Sequence, residues 1–361
     1  MRIGDRQIGT GEVFVIAEIG VNHDGKRDVA LRLVEAAARA GADAVKFQMF
    51  EATGLMSRAS RLAGYQSRAG ERDPVEMLRR LELSDETLTE LASCARAAGI
   101  CPIVTVFSLD LVDRAARMGW SAFKTASPDI VHRPLLEALA SRGLPLILST
   151  GASTLAEVER ATQWLSGSAS TLAALQCVSS YPTPPEHAEL DGIAALRGLG
   201  LSRVGYSDHT REVETGAEAV RRGAVILEKH FTHDTRAPGP DHAASLDEAA
   251  LQRYVREARA ARPVQAALLQ PGLKRVLDIE RDVRRVSRQS IVTRRALRIG
   301  ETIVAADLTF KRPGTGLAPY EIDRVLGRTV RREVEADVPL TPEDVGLPAG
   351  DQEGATHGAG V

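Results

Sequence analysis

Eight runs rich in Val, Ile and Ala, each followed by a stretch with helical apolar spacing, constrain this chain more than any other feature. They fall at 13–19, 44–49, 102–107, 122–127, 145–150, 173–179, 203–208 and 225–231. Short apolar strands alternating with amphipathic segments eight times give the count that closes a parallel (β/α)8 barrel. One connection is out of proportion. From Phe50 to about Leu83 the chain carries Arg58, Arg61, Tyr65, Gln66, Arg68 and Arg72 before a helix that starts near Ser84. Connections of that length usually act as lids or binding loops, or are simply mobile.

After the barrel, placed at residues 1–270, the pattern changes. Residues 271–286, with Pro271-Gly272 and a dense run of Arg, Asp and Glu, read as a helical or irregular linker. Residues 287–346 alternate short β-type segments (Ser290–Thr293, Thr302–Val304, Leu308–Arg312) with turn signals such as Gly300-Glu301 and Pro313-Gly314, which predicts a small β-rich domain. The Gly-, Ala-, Asp- and Pro-rich segment 347–361 reads as a disordered tail.

Composition narrows the function classes. With 361 residues, 43% of them hydrophobic, the chain fills a large core and is comfortable as two domains. A net charge of −2 argues against nucleic acid or a membrane surface as the main partner. The opening Met-Arg-Ile-Gly-Asp-Arg-Gln has no apolar signal core, so the expected location is the cytoplasm. Cys94, Cys101 and Cys177 are odd in number and lack C-x-x-C spacing, and read as reduced, small buried hydrophobes.

In a barrel of this kind the reacting groups sit at the C-terminal ends of the strands. Those ends carry, in order, Glu18, Lys46 with Gln48, Thr105, Lys124 with Ser127 and Asp129, Ser149 with Thr150, Ser179, His209 and His230. A lysine inside an apolar run such as Ala44-Val45-Lys46-Phe47-Gln48 needs a buried partner. Two lysines among hydroxyl groups suit a phosphorylated or carboxylated ligand. His209 and His230, at the ends of consecutive strands joined by a helix over 213–222, project from one rim and can share a divalent metal; either alone is more often structural, and the pair fits both readings equally.

At these residues the chain resembles the N-acetylneuraminate (sialic acid) synthase family, across nearly its whole length. The matching motifs are Ala17-Glu18-Ile19-Gly20-Val21-Asn22-His23-Asp24-Gly25, Val45-Lys46-Phe47-Gln48, Leu148-Ser149-Thr150-Gly151, Tyr181-Pro182-Thr183-Pro184, Ser207-Asp208-His209-Thr210, Glu228-Lys229-His230-Phe231-Thr232 and Gly239-Pro240-Asp241-His242. Residues 311–317, Lys-Arg-Pro-Gly-Thr-Gly-Leu, are similar to the family's C-terminal antifreeze-like (SAF, β-clip) domain. The resemblance implies a (β/α)8 TIM barrel followed by that domain. It further implies a metal-dependent condensation of phosphoenolpyruvate with an open-chain acetamido hexose, N-acetylmannosamine or a relative, giving a nonulosonic acid and phosphate. His209 and His230 would bind Mn²⁺ or Mg²⁺, with Co²⁺ as a further candidate. Lys46, Thr105, Lys124, Ser127, Ser149 and Ser179 would hold phosphoenolpyruvate, and Gln48, Tyr181, Ser207 and Asp241 complete the substrate-binding set. Glu18 and Asp129 are the carboxylates for proton handling. Arg312 would reach into a partner's barrel in a domain-swapped homodimer.

Some positions depart from the family pattern: Met49, Gln176, Ser179, Asp129 in place of a glutamate, and Ala152. These are expected to bear on substrate choice. Three other readings stand beside the sialic-type synthase. One is a Schiff-base aldolase or lyase using Lys46 or Lys124. Another is a legionaminic or pseudaminic acid synthase, differing only in the acceptor sugar. The third is a non-catalytic carbohydrate- or ice-binding protein, which would leave the polar crown of the barrel unexplained.

Overall fold

A computed structural model of the chain describes residues 1–264 and 272–348. Strands β1 (Arg2–Ile3) and β2 (Arg6–Gln7) form a small antiparallel hairpin. Then β3 (Phe14–Gly20), β4 (Ala44–Met49), β5 (Cys101–Val106), β6 (Ala122–Thr125), β7 (Leu146–Ser149), β8 (Leu172–Cys177), β9 (Val204–Asp208) and β10 (Ile226–His230) pair in parallel and close, β10 meeting β3. This is the TIM-type barrel read from the sequence, with each strand within two residues of its expected bounds at the N-terminal side.

The period of two in a strand decides what each side chain meets. One set, including Val45, Phe47, Met49, Tyr206 and Leu227, points outward and packs under the helices. The other set points into the barrel, where Phe14, Ile16, Ala44, Ile103, Ala122, Ile147, Leu175 and Ile226 fill the lower layers. Met1, Ile3 and Ile8 of the hairpin segment join that layer from below and plug the barrel, a role its short polar sequence did not announce. Two residues further along, the inward positions turn polar in every strand of the barrel but β8, which places Cys177 there. The pairing register then sets Glu18 beside Lys46, Thr105 beside Lys124, Ser207 beside Glu228 and His230 beside Glu18.

The long second connection folds as three short helices, Ala52–Leu55, Gly64–Arg68 and Pro74–Leu81. Asp73 caps the last, accepting from Val75 N at 2.9 Å and Glu76 N at 2.8 Å, with Pro74 at the first helical position. The first and last of these build an apolar cluster with Val21, Phe50 and Phe107 over the barrel mouth.

The C-terminal unit centres on the antiparallel pair β11 (Ser290–Thr293) and β12 (Leu308–Lys311), around a core that includes Ile291, Leu297, Ile303, Val325 and Leu340. The β segment expected at Thr302–Val304 makes only an isolated bridge, Thr302 to Thr329, because the chain turns at once into a 3₁₀ helix whose Asp307 accepts from Val304 N at 3.0 Å. Leu347, placed in the tail by its composition, is buried in this core. The remaining tail from 349 and the start of the expected linker at Pro271 lie outside the described residues. Among the described residues, no helix is long and apolar enough to cross a membrane.

Candidate active site

The inward polar layer forms the floor of a cavity at the C-terminal rim of the barrel, roofed by the second connection, the linker helix and Arg312. Lys46 Nζ lies 3.0 Å from Glu18 Oε2 and 3.7 Å from Glu228 Oε1, and donates to Thr105 Oγ1 at 3.0 Å. Lys124 Nζ lies 3.4 Å from Glu228 Oε1, which also accepts from Ser207 Oγ at 3.0 Å. Gln48 Nε2 donates to Glu18 Oε1 at 2.9 Å.

Burial works against every charge here, and the number of close partners decides each outcome. Burial pushes the Glu228 carboxyl up, but Lys124, Lys46 and His230, with the Ser207 hydroxyl, outweigh it and hold it at about 2. Burial lowers Lys46, yet Glu18 and Glu228 reverse that and raise it above the ordinary lysine value. Lys124 has one nearby carboxylate at a longer distance, and burial leaves it lowered. Glu18 is raised, by burial first and by Glu228, against the pull of Lys46. The floor is therefore short of negative charge at Lys124, an imbalance that a bound anion relieves.

His209 and His230 face each other across the rim with ring centroids 5.4 Å apart. His209 Nδ1 lies 2.7 Å from Val178 O, so it donates there and leaves Nε2 with its lone pair. That backbone contact fixes the tautomer, as ligating histidines require. His230 is driven well below its ordinary value, by burial first, and its Nδ1 has no hydrogen-bond partner among the described residues, with Asp241 Oδ2 at 3.8 Å. Burial lowers His209, but Cys177 and the Val178 carbonyl outweigh it and raise the group, while His230 is lowered; with His209 Nδ1 committed to Val178 O, its Nε2 and the orphaned ring nitrogen of His230 are the donors that fit a divalent ion with open positions. No group of three or more His, Cys, Asp or Glu placed to hold a metal ion is found among the described residues.

Above the histidines, Tyr181 packs on His209 with centroids 4.1 Å apart, and Tyr65 stacks on Tyr181 at 4.8 Å. Val21, Phe50, Leu55, Met77, Leu78, Leu81 and Phe107 supply an apolar side wall. Arg312 sits between these layers: its backbone N donates to Leu55 O at 2.8 Å, its O accepts from Ser57 Oγ at 2.6 Å and Ser60 Oγ at 2.8 Å, and its guanidinium lies over Phe107.

Of the residues expected in the site, Glu18, Lys46, Gln48, Thr105, Lys124, Ser127, Ser149, Ser179, Tyr181, Ser207, His209, His230, Asp241 and Arg312 all line this cavity. Asp129 stands just behind it in the 3₁₀ turn Ser127–Val131, with Oδ1 3.4 Å from Gln289 Nε2. Burial pushes the Asp129 carboxyl up to about 7 against the pull of Arg312, and burial with Glu18 raises Asp241 to about 7. Thr150 turns to the backbone, donating to Leu175 O at 2.8 Å. Arg312 enters the cavity of its own chain, where the sequence reading had it entering a partner's. Two departures expected to bear on the sugar do not face it. Met49 has outward parity and packs in the outer core, and Gln176, also outward, donates to Glu189 O at 3.0 Å.

Two residues that line the cavity and one outside it carried no assigned role. Glu228, the hinge of the charge network, shares inward parity with His230 two positions on, a signal that the strand period offered. Tyr65 lay in the long connection without a partner to give it meaning. Glu280, buried in the linker at 1% exposure, had no sequence signal at all.

A closed barrel that converges two lysines, three carboxylates and two imidazoles in one roofed cavity defines a barrel enzyme. The model of the NeuB family matches residues 33–268 and that of the SAF domain residues 288–346. The chain belongs to the NeuB family. The N,N'-diacetyllegionaminic acid synthase of Legionella pneumophila subsp. pneumophila is 38% identical over 339 residues, 92% of this chain and 94% of that protein. The N-acetylneuraminate-9-phosphate synthase of Mus musculus is 32% identical over 93% of this chain and 94% of its own. Among solved structures, the spore coat polysaccharide biosynthesis protein of Bacillus subtilis has a TM-score of 0.82 at 32% identity, covering 96% of this chain and 99% of that one.

Proposed function

We propose that this enzyme condenses phosphoenolpyruvate with an open-chain 2,4-diacetamido-2,4,6-trideoxy hexose, forming a nonulosonic acid of the legionaminic or pseudaminic kind and phosphate. The charge imbalance at Lys124, beside Lys46 and the hydroxyls of Thr105, Ser127, Ser149 and Ser179, supports an anionic donor substrate on the floor. The single observation that carries the acceptor is the apolar side wall from Val21 to Phe107. A deoxygenated C6 methyl and acetamido methyls bury well against it, whereas a C6 phosphate would meet no cation there except Arg312, which faces Asp129.

The chain's own groups divide the work. Lys46 and Lys124 hold the carboxylate and phosphate of the donor, placing its methylene carbon toward the acceptor aldehyde. As the new C–C bond forms, positive charge develops at the former C2, and Glu228, held ionised, lies where it stabilises that charge. The aldehyde oxygen takes the electron pair of its C=O bond; water adds at C2 and loses one proton to Glu18, which passes it to that oxygen, and the second proton leaves with phosphate as the C–O bond breaks and the C2 ketone forms. His209 and His230 would hold a divalent ion, Mn²⁺, Mg²⁺ or Co²⁺, which when bound supplies Lewis-acid polarisation of a carbonyl oxygen. Tyr65, Tyr181, Asp241 and Arg312 orient the sugar and exclude bulk water.

Phosphate release from phosphoenolpyruvate, measured with N-acetylmannosamine, its 6-phosphate and the diacetamido-trideoxy hexoses, with mass analysis of each product, tests the reading. Turnover is expected with a trideoxy sugar; turnover with N-acetylmannosamine 6-phosphate alone would overturn the choice of acceptor. Borohydride trapping on Lys46 or Lys124 would replace the condensation with a Schiff-base lyase. The swapped homodimer belongs to the same reading: the surfaces that seat Arg312 on Leu55 and Ser57 would serve equally between two copies.

A further inference from the structure

We infer that Glu280, in the linker and outside the cavity, is a positioning residue that sets the donor-binding turn at the ends of β7 and β8. The inference rests on the reading that Ser127, Ser149 and Ser179 hold phosphoenolpyruvate. Glu280 Oε1 accepts from Ala152 N at 2.6 Å and from Ser179 N at 2.7 Å, and Oε2 accepts from Leu277 N at 2.9 Å. One buried carboxylate thus ties two successive strand ends to the linker.

What it holds is not a relaxed loop. Ala152 has φ 49°, in the left-handed region that a residue with a Cβ seldom adopts. Its amide is held by Glu280 and its carbonyl accepts from Arg284 Nη1 at 2.6 Å and Arg288 Nη2 at 3.2 Å. Both arginines are themselves fixed by Glu157, at 2.8 and 2.7 Å. The linker therefore grips the Ala152 peptide from both sides. The neighbouring Gly151 leaves no slack: its N donates to Ser127 Oγ at 2.9 Å, and a Cβ there would lie 2.3 Å from Ser179 Oγ and 2.8 Å from Ser127 Oγ. Any shift of the turn moves both hydroxyls, and Ser179 Oγ has no partner among the described residues. Release of the Glu280 clamp therefore acts first on the donor side of the cavity, because the linker helix that seats Tyr65 keeps a separate hold on the barrel through Arg284 and Arg288 on Glu157.

The test uses the full chain loaded with Mn²⁺, with phosphoenolpyruvate titrated calorimetrically, the acceptor KM measured kinetically, and hydrogen exchange followed at Ala152 and Ser179. In Glu280→Ala, phosphoenolpyruvate affinity is expected to fall by about tenfold or more, the acceptor KM to stay within about threefold, and both amides to lose protection. Glu280→Gln, whose amide oxygen still accepts from both N–H groups, is expected to stay within about threefold of the parent. Donor affinity unchanged in Glu280→Ala, or donor and acceptor constants rising together with a lowered Tm, overturns the inference in favour of a purely structural role. If Glu280→Ala does not fold, Glu280→Asp, whose carboxylate stops one methylene short, decides by the same measurements. Lys46→Met and Lys124→Met separate the two levels. Loss of donor binding in these but not in the Glu280 variants removes the inference alone, and intact donor binding in the lysine variants removes the site reading itself.

Discussion

Glu228 shows how much one residue can govern in a low-dielectric floor. It lies within 3.4 Å of Lys124 Nζ and 3.7 Å of Lys46 Nζ, so replacing either lysine strands a buried carboxylate as well as removing a cation. Lys46→Met and Lys124→Met are accordingly expected to weaken phosphoenolpyruvate by about 2–5 kcal/mol, read from its KM, with a smaller effect on the sugar. His209→Ala and His230→Ala should each abolish turnover in a folded barrel, and EDTA should do the same reversibly; full activity in chelator would remove the metal from the site. Asp129 gives a pH test. Its folded value of about 7 lies above the ordinary 3.8, so the folded chain keeps a proton that the unfolded chain has lost between those limits. The stability this contributes is fully present below about pH 4 and is lost as pH rises through 7. Asp129→Asn, which carries no ionisable group there, is expected to be more stable than the parent at pH 8 by up to about 4 kcal/mol, with the difference vanishing toward pH 4. Denaturant melts of the apo chain at the two pH values check this, and a destabilised Asn variant at pH 8 would mean that Asp129 is ionised and paired with Arg312.

The strands and their polar ends were legible because alternation and strand length leave little freedom. Lys46 and Glu18 had to face inward or pay for burial without a partner, and they found each other. The same alternation, applied strictly, would have turned Met49 and Gln176 away from the sugar and brought Glu228 in, so those misreadings came from following motif positions instead of parity. What the sequence could not carry were contacts between segments far apart in the chain. Tyr65 gains its place because the helix Gly64–Arg68 docks through Ala63 and Tyr65 on Val283 and Val286 of the linker helix Arg281–Ser287, some 220 positions on. No local pattern encodes that pairing. Its consequence is specific: removing the Tyr65 ring deletes the stack on Tyr181 without touching the lysine floor. Stacked pairs contribute about 0.5–1.5 kcal/mol beyond burial, so Tyr65→Ala is expected to raise the acceptor KM roughly three- to tenfold or more with little change for phosphoenolpyruvate. Tyr65→Phe should restore most of it, and an equal loss for both substrates would assign the ring to fold stability instead.

At the scale of the whole molecule, the barrel holds the charge network and the C-terminal unit completes the roof, so neither part has a finished site alone. The join between them includes a short backbone bridge from Met56 to Arg312, Ser57 N donating to Arg312 O at 3.1 Å, Arg58 N donating to Asp337 Oδ2 at 3.0 Å, Gln289 Nε2 donating to Phe107 O at 2.8 Å, and the ion pair of Arg294 with Asp110 at 3.1 Å. Such contacts are local to the two surfaces and indifferent to whether one chain or two supplies them. If the C-terminal unit only stabilised the fold, removing residues after about Arg285 would lower Tm and leave a working barrel. Because it carries the guanidinium into the cavity, truncation and Arg312→Ala are both expected to cripple catalysis, the point variant remaining folded. Mixing two inactive proteins, Arg312→Ala and His209→Ala, under conditions of verified subunit exchange then discriminates the assemblies. In a swapped dimer, the barrel that keeps its histidines receives an intact Arg312 from the other chain, and part of the activity returns. In a chain that roofs its own barrel, each cavity keeps its defect and the mixture stays inactive.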